Sequence, residues 1–196
     1  KIFSVFKGYD TKSVSLTKES AAFFLWKKGE AMFKEGDFII YGSNGVCQVE
    51  HIGSMDLQGV PGDKMYYTLV PVYEEKSRLF TPVDNHKVVM RPVISKKEAC
   101  ELIDHMQEMQ VFEIQNEKNR DTVFKEALKT GDCEELVRVI KTIYEKKQER
   151  KAQGKKVTAG DERYFKLAEE HLYGELAIAL GIEKDKVSSY IEKRIA

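Results

Sequence analysis

The sequence predicts an α+β protein, with a small antiparallel β-barrel or strongly bent sheet first and a compact helical domain of about five helices after it. Three observations carry that expectation. Between Phe38 and Val93, short runs rich in β-branched and aromatic residues alternate with turn residues. After Pro92 the apolar residues recur at helical spacing. The change comes once, near residues 93–96, so strands and helices are segregated rather than interleaved. A chain of 196 residues has room for two such cores.

The runs FIIY, VCQVEHI, MYYTLVPVY, RLFTPV and VVMRPV read as five strands. Gly42-Ser43-Asn44-Gly45 tolerates the positive φ of a tight turn between the first two, and Pro61-Gly62-Asp63, Glu74-Glu75-Lys76-Ser77 and Asp84-Asn85 mark later reversals. Ser95-Lys96-Lys97-Glu98 has the form of a capping box opening a first helix, whose stripe is Leu102, Ile103, Met106 and Met109. A second helix carries Val123, Phe124, Ala127 and Leu128 and stops at Thr130-Gly131. Asp132 opens a third, with Leu136, Val137, Ile140, Ile143 and Tyr144 on its apolar face and Gly154 at its end. Thr158 opens a fourth, lined by Phe165, Ala168, Leu172, Leu176 and Ala179 and stopped by Gly181, and a short last helix spans roughly Lys184 to Ile195. Residues 1–31 show no steady period and precede Met32, which reads as the natural start. The expected organisation is therefore an extension over 1–31, a β domain over 32–93 and a helical domain over 94–196.

Composition narrows the function classes. With 42% hydrophobic residues, 33% charged and four prolines, the chain has the make-up of a folded protein in water rather than a disordered one. No apolar run approaches the roughly 18 residues of a membrane span, and SAAFFLW is too short for a signal peptide. Three widely spaced cysteines without a CxxC pair, and four scattered histidines, support neither a disulfide framework nor a zinc site, so a reducing cytoplasm is expected. No nucleophile, phosphate-loop, zincin or dinucleotide motif is present, and the adjacent pairs Glu74-Glu75, Glu134-Glu135 and Glu169-Glu170 point to different directions. No catalytic residue, metal or cofactor is expected. The one enzymatic alternative is a thiol mechanism using Cys100 or Cys133, which lie near helix starts.

Charge is distributed unevenly. The chain has 32 basic and 32 acidic residues, yet KKQERKAQGKK at 146–156 holds six positive side chains and one negative. From Val137 to Lys166, ten basic residues (Arg138, Lys141, Lys146, Lys147, Arg150, Lys151, Lys155, Lys156, Arg163 and Lys166) face four acidic ones, a surplus of +6 balanced elsewhere in the chain. Positions 138, 141, 145 and 149 follow helical spacing opposite the apolar stripe and are expected to project outward. Such a surface suits backbone phosphates, with affinity that is independent of sequence and falls steeply with salt. The other reading is a solvated helix face in which Glu145 and Glu149 pair with lysines three or four residues away. Intrahelical pairing does not account for the continuation of the run through Gly154 into Lys155 and Lys156, beside a helix start.

The segments MFKEGDFIIYGSNGVCQVEHIG, YYTLVPVYEEKSRLFTPVDN and RVIKTIYEKKQERKAQGKKVTAGDERYFKLAEEHLYGELAIALGI occur in an order and spacing that resembles the CarD/CdnL family of bacterial RNA polymerase-binding transcription regulators. The resemblance covers essentially all of Met32 to Ala196. It implies a Tudor-like β domain, similar to the polymerase-interacting domain of the transcription-repair coupling factor, that grips the polymerase β subunit. It also implies a helical domain lying on promoter DNA at the upstream edge of the bubble, through backbone and minor groove rather than base sequence. On this basis the expected DNA contacts are Arg120, Arg138, Lys141, Lys146, Lys147, Arg150, Lys151, Lys155, Lys156, Arg163 and Lys166. The expected polymerase-facing positions are Met55, Leu57, Tyr67, Leu79 and Phe80.

The chain departs from the pattern of that family in two places. Many carry a tryptophan ahead of an Arg-Tyr pair that wedges into the minor groove. Here FEIQNEKNRD keeps Arg120 but has Glu117 in the tryptophan's place and Asp121 in the tyrosine's, leaving Phe112 as either a weaker wedge or a core residue. Basic residues that some relatives use on the barrel fall at Met55 and Phe80, which makes that surface more apolar. The competing functional reading is a protein-interaction adaptor that does not touch DNA.

Overall fold

The computed structural model describes residues 33–54, 64–74, 77–114 and 116–195. The chain divides into two units, a β unit ending at Pro92 and a helical unit from Val93. The extension over 1–31, and with Met55 and Leu57 two of the expected polymerase contacts, lie outside the described residues.

In the β unit, β1 (Phe38–Tyr41), β2 (Val46–Ser54), β3 (Met65–Pro71), β4 (Leu79–Pro82) and β5 (Met90–Pro92) form one antiparallel sheet in the order β4-β3-β2-β1-β5. Alternation puts Ile39, Cys47, Val49, Tyr67 and Leu69 on the inner face, where they pack with Phe33 and Val83. Cys47 stands opposite Ile39 and Val49 opposite Leu69, so the core is a set of cross-strand pairs. The sharp reversal after β1 needs Gly42. Its φ is +47°, and a Cβ there would come within 2.7 Å of Val88 Cγ1.

Strand β2 carries an irregularity between Val49 and His51 that shifts its register on β3. Glu35 supports it. Its Oε1 accepts the Ile52 amide at 3.0 Å and stands 2.7 Å from His51 Nδ1. The Ile52 amide first, and then His51, hold the Glu35 carboxyl below its ordinary range.

Burial on the inner face pushes the Cys47 thiol up from 9.0 to about 12. A group whose folded pKa is raised favours the folded state below its unfolded value, and that contribution is lost as pH climbs towards the folded value. Stability of the β unit is therefore expected to fall between about pH 9 and 12 in a denaturant series, and Cys47→Ala to flatten that decline. Native alkylation at neutral pH is expected to label half-buried Cys100 before Cys47 or Cys133, both of which are buried.

The helical unit has five α-helices among the described residues: α1 (Lys96–His105), α2 (Arg120–Thr130), α3 (Cys133–Ala152), α4 (Ala159–Leu180) and α5 (Val187–Ile195). Their ends follow local chemistry. The Ser95 hydroxyl accepts the Glu98 amide and the Glu98 carboxylate accepts the Ser95 amide, closing the capping box. Asp132 caps α3 and Thr158 caps α4, while Gly131 and Gly181 take left-handed conformations at the ends of α2 and α4. The core lies mainly between α3 and α4. Leu136 and Ile140 meet Leu172 and Leu176 in one cluster with Phe124 and Ile103, each burial contributing about 1.5–3 kcal/mol. Among the described residues no helix is long and apolar enough to cross a membrane.

Two expectations need correction. Met109 does not continue the α1 stripe, because α1 ends at His105 and the carbonyls of Gln107 and Met109 turn to Lys141. Lys141 does not project outward from α3. It is 5% exposed, with its ammonium on those two carbonyls, and burial lowers its pKa.

Candidate polymerase and nucleic-acid surfaces

The α3–α4 turn is the most strongly built basic feature. Helix α3 runs out at Gln153, and Gly154, at φ +68°, reverses the chain. The Lys155 amide donates to Arg150 O at 2.8 Å and the Gly154 amide to Lys151 O at 3.0 Å, the paired bonds of a Schellman motif. Arg150 adds a side-chain tie, its Nε donating to Lys156 O at 2.8 Å. The turn is thereby fixed with Lys155 and Lys156 facing the last turns of α3. Lys147, Lys151, Lys155 and Lys156 line a cleft of about 430 Å³ with Val157, Ala159 and Glu162, beside the start of α4. The four lysines thus share one depression beside the start of α4, the Lys155 ammonium donating to Gln153 Oε1 at 3.0 Å.

The other basic candidates divide. Lys146 is half-buried on α3 next to the cleft, and Arg163 and Lys166 are exposed on α4. Arg163 sits 5.0 Å over the Tyr164 ring, and Lys166 lies 3.9 Å from Glu170. Three others serve the fold. Lys141 is buried as described. Arg138 donates to Gln110 O and to Glu135, and its guanidinium covers the Phe112 ring at 4.1 Å. Arg120, with only 18% of its side chain exposed, stands 3.2 Å from Asp161, a carboxylate that is 3% exposed and also accepts the Thr158 hydroxyl. The Lys141 ammonium is spent on two main-chain carbonyls, and one Arg120 nitrogen faces Asp161.

Phe112 belongs to the packing and is not a free wedge. Its ring lies between the Arg138 guanidinium and Phe124, 6.4 Å centroid to centroid, and its amide donates to Thr142 Oγ1 at 2.9 Å. Asp121 accepts the Tyr164 hydroxyl and pairs with Lys125 at 2.6 Å. These contacts hold its carboxyl below the ordinary range, Lys125 first and then Tyr164.

On the β unit, Tyr67 is not a surface residue. It is fully buried, and its hydroxyl accepts the Phe33 amide at 3.1 Å. Leu79 packs partly against the same core. Phe80, next along β4, points the other way and is 51% exposed. Beside it, Arg78 grips Glu50 with two bonds of 2.7 and 2.8 Å. Strand β4 is also an end of the sheet. The Val83 amide donates to Met65 O, so residues 79, 81 and 83 turn their backbone groups towards β3 while Phe80 turns its own outward.

Sequence reasoning missed Glu162 as part of the cleft. It missed Glu175 too, which is 1% exposed and accepts the Ile94 amide at 3.0 Å and the Cys133 thiol at 3.1 Å. That contact also places Cys133 inside the core rather than at a reactive surface. Glu162 was visible only as one of four acids in a basic run, and nothing local marks a mid-helix glutamate as buried.

Comparison with known families agrees with this geometry. Residues 33–94 match the CarD-like/TRCF RID domain and residues 101–192 match the CarD, C-terminal domain, which together span most of the chain and divide it where strands give way to helices. The chain therefore belongs to the CarD-like family and is an RNA polymerase-interacting transcription regulator.

Proposed function

We propose that this chain joins RNA polymerase to promoter DNA, with the β unit holding the polymerase β subunit and the helical unit lying on the duplex upstream of the bubble. The observation that carries the DNA half is the convergence of Lys147, Lys151, Lys155 and Lys156 on one cleft whose turn is fixed by backbone bonds. Lys146, Arg163 and Lys166 extend the contact on either side. The β half is supported by exposed Phe80 on an end strand, which can pair with a partner's sheet and seat its ring there. Tethering to polymerase raises the effective DNA concentration, so modest intrinsic affinity suffices. The open promoter is favoured only to the extent that it is bound more tightly than the closed one. CarD-like proteins are non-enzymatic regulators, and the chemistry of melting belongs to the polymerase.

The test is a salt titration of binding to a forked promoter fragment, with and without core polymerase. The triple variant Lys151→Ala/Lys155→Ala/Lys156→Ala is expected to lose about 10- to 100-fold in affinity, and its log–log salt slope to fall by about 2–3, near 0.9 per lost phosphate contact. Phe80→Asp is expected to abolish co-purification with core polymerase while leaving binding to free DNA unchanged. A salt-independent signal, identical in wild type and the triple variant, favours an adaptor that does not touch DNA.

A further inference from the structure

We propose that Glu175 is a positioning residue for the bridging function, because it confines the joint between the two units to Val93. The inference rests on the reading of the chain as a bridge. The β unit ends at Pro92 and the helical unit begins at Val93. On the β side the chain is held up to its last residue. Pro92 stands opposite Ile39 in the pairing of β5 with β1, its ring fixes φ, and its carbonyl accepts Arg91 Nη1 at 3.1 Å. On the helical side the hold begins two residues later. The Ile94 amide donates to Glu175 Oε1 at 3.0 Å, and the Ile94 side chain packs against the helical core. The Ser95 amide then donates to Glu98 at 2.7 Å within the capping box. Val93 is the one residue between these anchors.

Glu175 is the hydrogen-bonding anchor that reaches the joint from a distance, 81 positions along the chain. The capping box is local chemistry and fixes nothing ahead of Ser95. A carboxylate at 1% exposure in an apolar cluster is costly unless its oxygens are used. Here one oxygen accepts the Cys133 thiol at 3.1 Å, which orients the group, and the other is thereby aimed at the chain as it leaves the sheet. Losing that bond would add the two soft dihedrals of Ile94 to those of Val93. The difference bears on bridging. Once one unit is on polymerase, the other meets DNA at an effective concentration that is highest when the tether matches the span and falls as the tether gains length and freedom.

Backbone nitrogen relaxation on the full chain, together with binding to a forked promoter fragment with and without core polymerase, tests it. In the wild type the Ile94 and Ser95 amides are expected at order parameters of about 0.85, and in Glu175→Ala the Ile94 value should fall below about 0.6 while Ser95 keeps its own. On the folded fraction of that variant, the gain in DNA affinity that polymerase confers should drop about 10-fold, with binding to DNA alone and to polymerase alone unchanged. A second variant leaves the core intact: Gly-Ser-Gly-Ser inserted between Val93 and Ile94 lengthens the joint and should lower the gain to a similar extent. An Ile94 amide that stays ordered in Glu175→Ala overturns the proposal. So does a gain that the insertion leaves unchanged, or one that falls with the insertion but not with Glu175→Ala. If polymerase confers no gain on the wild type while Ile94 loses order in Glu175→Ala as expected, the bridging reading fails and takes the positioning role with it, and only the anchoring of the joint stands.

Discussion

Glu175→Ala is expected to destabilise the helical unit by about 3 kcal/mol, read as a shift in its urea transition. The carboxylate sits in the last third of α4 at 1% exposure, among Leu172, Leu176 and the rest of the core. One oxygen accepts the Ile94 amide and the other the Cys133 thiol. Alanine leaves the part-buried Ile94 amide without its acceptor and opens a void where the carboxyl stood, so both penalties fall on one substitution. Glu175→Gln keeps the shape and one acceptor oxygen, and should cost about 1 kcal/mol. Hydrogen exchange at the Ile94 amide gives a local readout: strong protection in the wild type, partial in Glu175→Gln and lost in Glu175→Ala. An alanine variant with unchanged midpoint and full protection at Ile94 would contradict this account of the core.

Arg120→Ala is expected to cost about 3–5 kcal/mol, because it strands a buried carboxylate. Asp161 is 3% exposed at its side chain and faces Arg120 at 3.2 Å, while its other oxygen serves the Thr158 hydroxyl at the start of α4. Replacing both partners, as Arg120→Met with Asp161→Asn, removes the stranded charge and should recover more than half of the loss. The same variant tests whether Arg120 is a DNA contact. Measured on the folded fraction, Arg120→Ala is expected to change promoter affinity less than threefold, since a guanidinium already held by Asp161 adds little at a phosphate. A tenfold loss with an unchanged unfolding midpoint would return Arg120 to the interface.

The contrast between what the sequence disclosed and what it hid is physical. Helix ends were legible because capping is local chemistry. Ser95, Asp132 and Thr158 start helices, and Gly131, Gly154 and Gly181 reverse them, within three or four residues of the groups they satisfy. The strands were legible for a similar reason, as short runs between turn residues. Side-chain orientation was less so. Leu79 and Phe80 are neighbours on one strand and cannot share a face, and Tyr67 has the parity of Leu69, which points inward. Strict use of that period would have removed Tyr67 from the surface. Lys141 and Arg120 were out of reach of any local rule. One is buried by an irregular segment about thirty residues away and the other by a carboxylate forty-one positions along, and both look like ordinary basic residues on helix surfaces.

The backbone bonds and the Arg150 tie that shape the α3–α4 turn use no ammonium, and Lys155 adds one exposed bond, from its Nζ to Gln153 Oε1 at 3.0 Å. Charge at those two positions can therefore drift over evolutionary time with little effect on folding. A lineage living at high ionic strength could add cations there, and one living in dilute cytosol could lose them, each keeping the same scaffold. Under the proposed function, grip on the template thus becomes a dial that selection can turn with little effect on stability.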